Sequence, residues 1–139
     1  MKRAIIVRGQ SNSGKSTVLN NIHHWITTTH STTLIHSVPL TGDIYQIFSV
    51  GKLIIGFCSE GDYGPSVQLF LDDCIARNCD LIIGSCRGKG ATYQAILSTL
   101  VKPFFIVNYT ITYHVSPHLI TTYNAQWFDE IQALIIGLN

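Results

Sequence analysis

The chain has 139 residues, 46% of them apolar and only 12% charged, with nine Lys and Arg against eight Asp and Glu and a net charge of +1. An average soluble domain is about 25% charged. High apolar content with little charge excludes a disordered chain. Near-neutrality gives no sign of the broad cationic surface of a nucleic-acid binder. The length suits a single domain over 1–139.

Apolar runs alternate with amphipathic stretches. Residues 4–8 read as a short buried strand, too short for a secretory signal because Arg8 ends it. Residues 14–28 read as a helix, with Val18, Leu19, Ile22, Trp25 and Ile26 at helical spacing. A polar Thr/Ser/His loop over 27–33 and a strand over 34–38 follow. Two β-rich runs around Gly51 predict a hairpin over 43–59. Pro65 suits the first turn of a helix over 65–77, and 80–85 is another buried strand. A helix over 92–100, a strand over 103–107 and a closing helix over 125–138 complete the pattern. Residues 110–124, rich in Thr, Tyr and His, carry no clear periodicity.

Strands this short and continuously apolar are expected where both sheet faces are covered. The predicted fold class is therefore α/β, a three-layer sandwich around a mostly parallel sheet. No apolar run reaches the roughly 18 residues of a membrane span. Cys58, Cys74, Cys79 and Cys86 fall in or beside apolar runs, none in a C-x-x-C pair. They read as reduced core thiols of a cytoplasmic protein.

The first strand runs into Gly9-Gln10-Ser11-Asn12-Ser13-Gly14-Lys15-Ser16-Thr17, which fits G-x-x-x-x-G-K-[ST] at every fixed position. It lies between a buried strand and an amphipathic helix, the context this motif requires. Here the sequence resembles the P-loop nucleoside triphosphatase superfamily. The motif itself covers about nine residues, and the α/β alternation extends the likeness, less specifically, over most of the chain. Glycines let the backbone fold back so that its amides form a nest for phosphate oxygens. The helix start adds unpaired N–H groups and a positive dipole end. The resemblance implies Lys15 on the β and γ phosphates, Ser16 on Mg²⁺ and Thr17 on the α-phosphate.

Such enzymes need an acid near Mg²⁺, usually at the end of a neighbouring buried strand. The run 53–58 is followed by Glu60 and Asp62. The run 81–86 ends in Arg87, and its acid, Asp80, precedes it. Ligands bind at the carboxyl ends of parallel strands, so Asp62 is the expected metal partner and Glu60 a candidate water-orienting base. Arg87 and Lys89, set between glycines, form a candidate anion-binding loop. Arg87 could neutralise a transferring phosphoryl group, and Lys89 could hold a second substrate. Asp43 is a weaker candidate, for an acceptor hydroxyl.

Asn108 follows the strand expected over 103–107, where GTPases of the superfamily carry N-K-x-D, but the run here is Asn108-Tyr109-Thr110-Ile111. The hairpin before an acidic strand end is similar to small GTPases, yet their D-x-x-G is also missing. ATP is therefore expected ahead of GTP. His114 and His118 have metal-like spacing, but Pro117 interrupts a helix between them. The expected function is Mg²⁺-dependent binding and hydrolysis of a nucleoside triphosphate. The alternatives are a kinase acting on a small molecule or a nucleic-acid end, and a slow nucleotide switch that signals to a protein partner.

Overall fold

The computed structural model describes residues 2–10, 14–101, 105–112 and 128–137. In chain order the elements are β1 (Lys2–Gly9), α1 (Lys15–Thr29), β2 (Thr33–Ser37), β3 (Tyr45–Val50), β4 (Leu53–Cys58), α2 (Gly64–Ala76), β5 (Leu81–Cys86), α3 (Ala91–Thr99) and β6 (Phe105–Thr112). A further helix, α4, spans 128–137.

Side chains along β1 alternate between the sheet faces, yet Ala4, Ile5, Ile6 and Val7 are all fully buried. Each face therefore needs its own apolar cover. Ala4 and Ile6 join a core completed by Val67, Phe70 and Leu71 of α2 and Ala95 and Ile96 of α3. Ile5 and Val7 join a second core with Val18, Leu19, Ile22 and Ile26 of α1 and Ile131 and Ile135 of α4. Trp25 stacks on Phe128 with ring centroids 4.6 Å apart, and His30 Nε2 lies 2.9 Å from Gln132 Oε1. These contacts seat α4 on α1.

The six strands form one sheet in the order β2-β3-β4-β5-β1-β6. Pairing is parallel for β4 with β5, β5 with β1 and β1 with β6, and antiparallel for β2 with β3 and β3 with β4. The sheet is thus mixed, and only partly parallel where a mostly parallel one was expected. The cause is local. Gly51, with φ 59°, and Lys52 reverse the chain between Val50 and Leu53, and so short a turn can join only antiparallel strands. The hairpin ladder runs from that turn to Tyr45 opposite Cys58, inside the expected 43–59.

Because β4, β5, β1 and β6 run parallel, their carboxyl ends share one edge of the sheet. Strand β6 continues to Thr112, past the expected end, and this moves Asn108 into mid-strand, opposite Ile5. Thr112, opposite Gly9, is the β6 residue level with the end of β1. Asn108 therefore does not stand where a base-reading residue would follow the strand. Residues 113–127, including His114 and His118, lie outside the described residues. Among the described residues no helix is long and apolar enough to cross a membrane.

Candidate functional site

The turn from β1 into α1 is built on Gly14, whose φ of 93° is left-handed backbone that a side chain resists. Its carbonyl accepts the Val18 N–H at 3.1 Å and opens the helix. Gly9 closes β1, Gln10 is exposed, and Ser16 and Thr17 are exposed on the first turn of α1. Ser11, Asn12 and Ser13 lie outside the described residues.

Lys15 is buried. Its Nζ donates to the Gly9 carbonyl and to Asp62 Oδ1, both at 2.8 Å. The Lys15 side chain is 6% exposed and that of Asp62 46%, so the pair sits at the mouth of the site with the cation inside. The expected acid therefore meets the expected lysine, but not from a neighbouring strand. The strands beside β1 are β5 and β6, and Asp62 follows β4, one strand beyond β5.

Gly61 makes this reach possible. A Cβ at that position would lie 2.6 Å from the Ser85 carbonyl carbon and oxygen, so only glycine lets the loop rest on the end of β5. The Ser85 hydroxyl donates to the Ser59 carbonyl at 3.2 Å and ties the loop's start to the same strand end. Glu60 shapes the rest. Its Oε1 accepts the N–H groups of Asp62 and Tyr63 at 2.8 and 3.0 Å. Its Oε2 is buried and has no hydrogen-bond partner among the described residues.

Arg87 also reaches Asp62, with Nε 3.4 Å from Oδ1. Burial pushes the Asp62 carboxyl up, but the hydrogen bond and charge of Lys15, reinforced by Arg87, outweigh it and hold the group below its ordinary value. The Arg87 N–H donates to Thr92 Oγ1 at 2.8 Å, which fixes the start of the 87–90 loop. Lys89 is exposed on that loop.

Arg8 is the site residue that sequence reasoning misses. Its Nε donates to the Gly88 carbonyl at 3.0 Å, and a second guanidinium N–H shares that oxygen. The guanidinium lies 3.7 Å from the centroid of the Tyr93 ring. Arg8 thus fastens the 87–90 loop to β1, the strand that leads into Gly14 and Lys15. A charge beside Gly9 in so charge-poor a chain is the signal that could have found it.

Asp43 accepts from the Ser59 hydroxyl at 2.8 Å, and that oxygen in turn accepts the Ile44 N–H at 2.9 Å, which places Asp43 beside the carboxyl end of β4. Asp80 lies at the other edge, where its Oδ2 accepts the Ile54 N–H at 2.8 Å. Among the described residues no three His, Cys, Asp or Glu gather into a cluster that could hold a metal ion. Comparison with protein-family models, with curated proteins and with solved structures returns no match for this chain.

Proposed function

We propose that this chain is a cytoplasmic P-loop nucleoside triphosphatase of three-layer α/β form that binds Mg²⁺·ATP through Gly9–Thr17 and hydrolyses the β–γ bond. The observation that carries this reading is the 2.8 Å contact between Lys15 Nζ and Asp62 Oδ1 at the carboxyl edge of the parallel strands. It joins the motif's lysine to the acid that the chemistry requires, and nothing in local sequence forces them together.

The residues present fit the proposed ligands. The N–H groups of the first turn of α1 have no partner within the helix and are oriented for phosphate oxygens. Lys15 would exchange the Gly9 carbonyl and Asp62 for β and γ phosphate oxygens. Ser16 and Asp62 offer the hard oxygen donors that Mg²⁺ prefers, and the ion would neutralise charge on those phosphates. Arg87 stands beside Asp62 as the second cation for charge developing on the transferring group. Glu60 Oε2, a buried acceptor with no partner among the described residues, is a natural seat for an ordered water. Four free, buried cysteines support the cytoplasmic setting.

The kinase reading draws on one observation, the Asp43 carboxylate beside the end of β4. Titration with Mg²⁺·ATP and Mg²⁺·GTP, wild type beside Lys15→Ala, with phosphate release followed in parallel, tests both. ATP binding with release, lost in the variant, supports hydrolysis. Binding without release, with turnover restored by an added acceptor, supports transfer. No binding of either nucleotide refutes the reading.

A further inference from the structure

At the far end of α2 two thiols meet for a reason written in the backbone. Asn78 takes φ 57°, the left-handed conformation that asparagine tolerates better than most side chains. The Asn78 N–H donates to the Ile75 carbonyl at 3.1 Å and the Cys79 N–H to the Cys74 carbonyl at 3.0 Å. This is a Schellman helix end, and it brings the side chain three residues from the helix end against the one just past it. Here those side chains are Cys74 and Cys79. Both are 1% exposed, and Gly56 makes room for them. A Cβ on Gly56 would collide with Cys74 Sγ and lie 3.4 Å from Cys79 Sγ.

The pair also borders open space. A cavity of about 270 Å³ is lined by Cys74, Ile75, Asn78 and Cys79 from the α2–β5 junction, by Lys2 of β1 and by Thr99 of α3. Lys2 Nζ donates to the carbonyls of Asn78 and Cys79 at 3.1 and 3.0 Å, which sets a cation over the turn that carries Cys79.

We propose that Cys74 and Cys79 form a reversible dithiol–disulfide site, oxidised by small disulfides that enter this cavity. The two thiols have different parts. A hydrogen bond from the Cys74 thiol, with the Lys2 and Arg77 charges, outweighs burial and the Asp80 charge and holds the Cys79 thiol below its ordinary value, so Cys79 is the attacking sulfur. Cys79 attacks one sulfur of the incoming disulfide, expels a thiolate and forms a mixed disulfide. Cys74 then loses its proton and attacks the Cys79 sulfur, which releases the second thiolate. The two protein thiols lose two electrons and two protons, and the small disulfide is reduced to two thiols. The other two cysteines take no part. Neither Cys58 nor Cys86 lines this cavity. The site lies at the amino-terminal edge of the parallel strands, away from the phosphate loop, and does not rest on the nucleotide reading.

The test treats the folded full chain with the neutral disulfide of mercaptoethanol and reads intact mass and peptide maps. The expected result is loss of two hydrogen masses, a Cys74–Cys79 cross-linked peptide, Cys58 and Cys86 still open to alkylation after unfolding, and reversal by dithiothreitol. Cys74→Ala should instead retain one mercaptoethanol adduct on Cys79. An unchanged wild-type mass, a stable adduct on the wild type, or a cross-link through Cys58 or Cys86 overturns the proposal. The wild-type map decides the matter even if the variant does not fold.

Discussion

The Lys15 ammonium lies 2.8 Å from the Asp62 carboxylate although the strands that deliver them, β1 and β4, are separated in the sheet by β5. A loop of three residues after Ser59 crosses the end of the intervening strand to make that contact.

Lys15→Ala should weaken Mg²⁺·ATP binding about 10- to 100-fold, the range that loss of charge-assisted hydrogen bonds worth about 1.5–3 kcal/mol implies. Folding stability should fall by about 1–3 kcal/mol, because removing the buried Lys15 ammonium leaves the Gly9 carbonyl unpaired while Asp62 keeps Arg87. Calorimetric titration beside urea denaturation separates the two effects. A variant that binds as tightly as wild type would remove Lys15 from the proposed phosphate site.

Gly61→Ala forces a methyl group onto the end of β5. The expected cost is about 1–3 kcal/mol of stability, the usual penalty of overpacking. The displaced loop should also carry Asp62 away from Lys15. Urea midpoints and nucleotide affinity should fall together, and a fully stable variant with wild-type affinity would contradict the crossing geometry.

The pH dependence follows from Asp62. Its folded value is held below the ordinary one, so its contribution to stability is complete above the unfolded value of 3.8 and is lost as pH falls below that through the folded value. Asp62→Asn should therefore lower stability modestly at neutral pH, flatten the acid limb below about pH 4 and converge with wild type at the acid end. Denaturant midpoints measured across that range give the comparison.

Arg8→Ala and Arg8→Lys should both loosen residues 88–90, since lysine keeps the charge but neither the guanidinium fork nor its planar contact with Tyr93. Amide exchange in that loop is expected to quicken about tenfold, corresponding to a loss near 1.4 kcal/mol. Rescue by lysine would show that charge alone matters there.

Asn78→Val should destabilise the chain by about 1–2 kcal/mol, because a β-branched residue resists the left-handed conformation at the end of α2. Asn78→Gly should be close to neutral. Urea midpoints of the two variants at unchanged slope make the measurement.

Much of the architecture is legible in local pattern. Apolar periodicity locates α1, Gly51 marks the hairpin, and Gly14-Lys15 marks where a strand gives way to a helix. Sheet order is not local. The runs of β4 and β5 read alike, and no short-range signal says that β5 lies between β1 and β4. Asp62 can thus be named as the acid at a strand end, while its route over Ser85 cannot be foreseen. Glu60 reads as a chemical group, yet the folded chain also uses it to bind two backbone N–H groups. The end of α2 near Arg77 is visible in the sequence. The left-handed turn at Asn78 that brings Cys74 to Cys79 is a matter of backbone torsion, which composition does not display.

The placement of β1 has a kinetic consequence. This first strand pairs only with β5 and β6 among the described residues, and its partners are Leu81–Cys86 and Phe105–Thr112. Every ladder contact it makes closes a long loop of chain, and contacts so distant in sequence slow folding. The hairpin of β3 and β4 can form from neighbouring residues long before that. During synthesis the strand that leads into Gly14 and Lys15 must therefore wait for strands made much later, and it gains its place in the sheet only as β5 and β6 arrive.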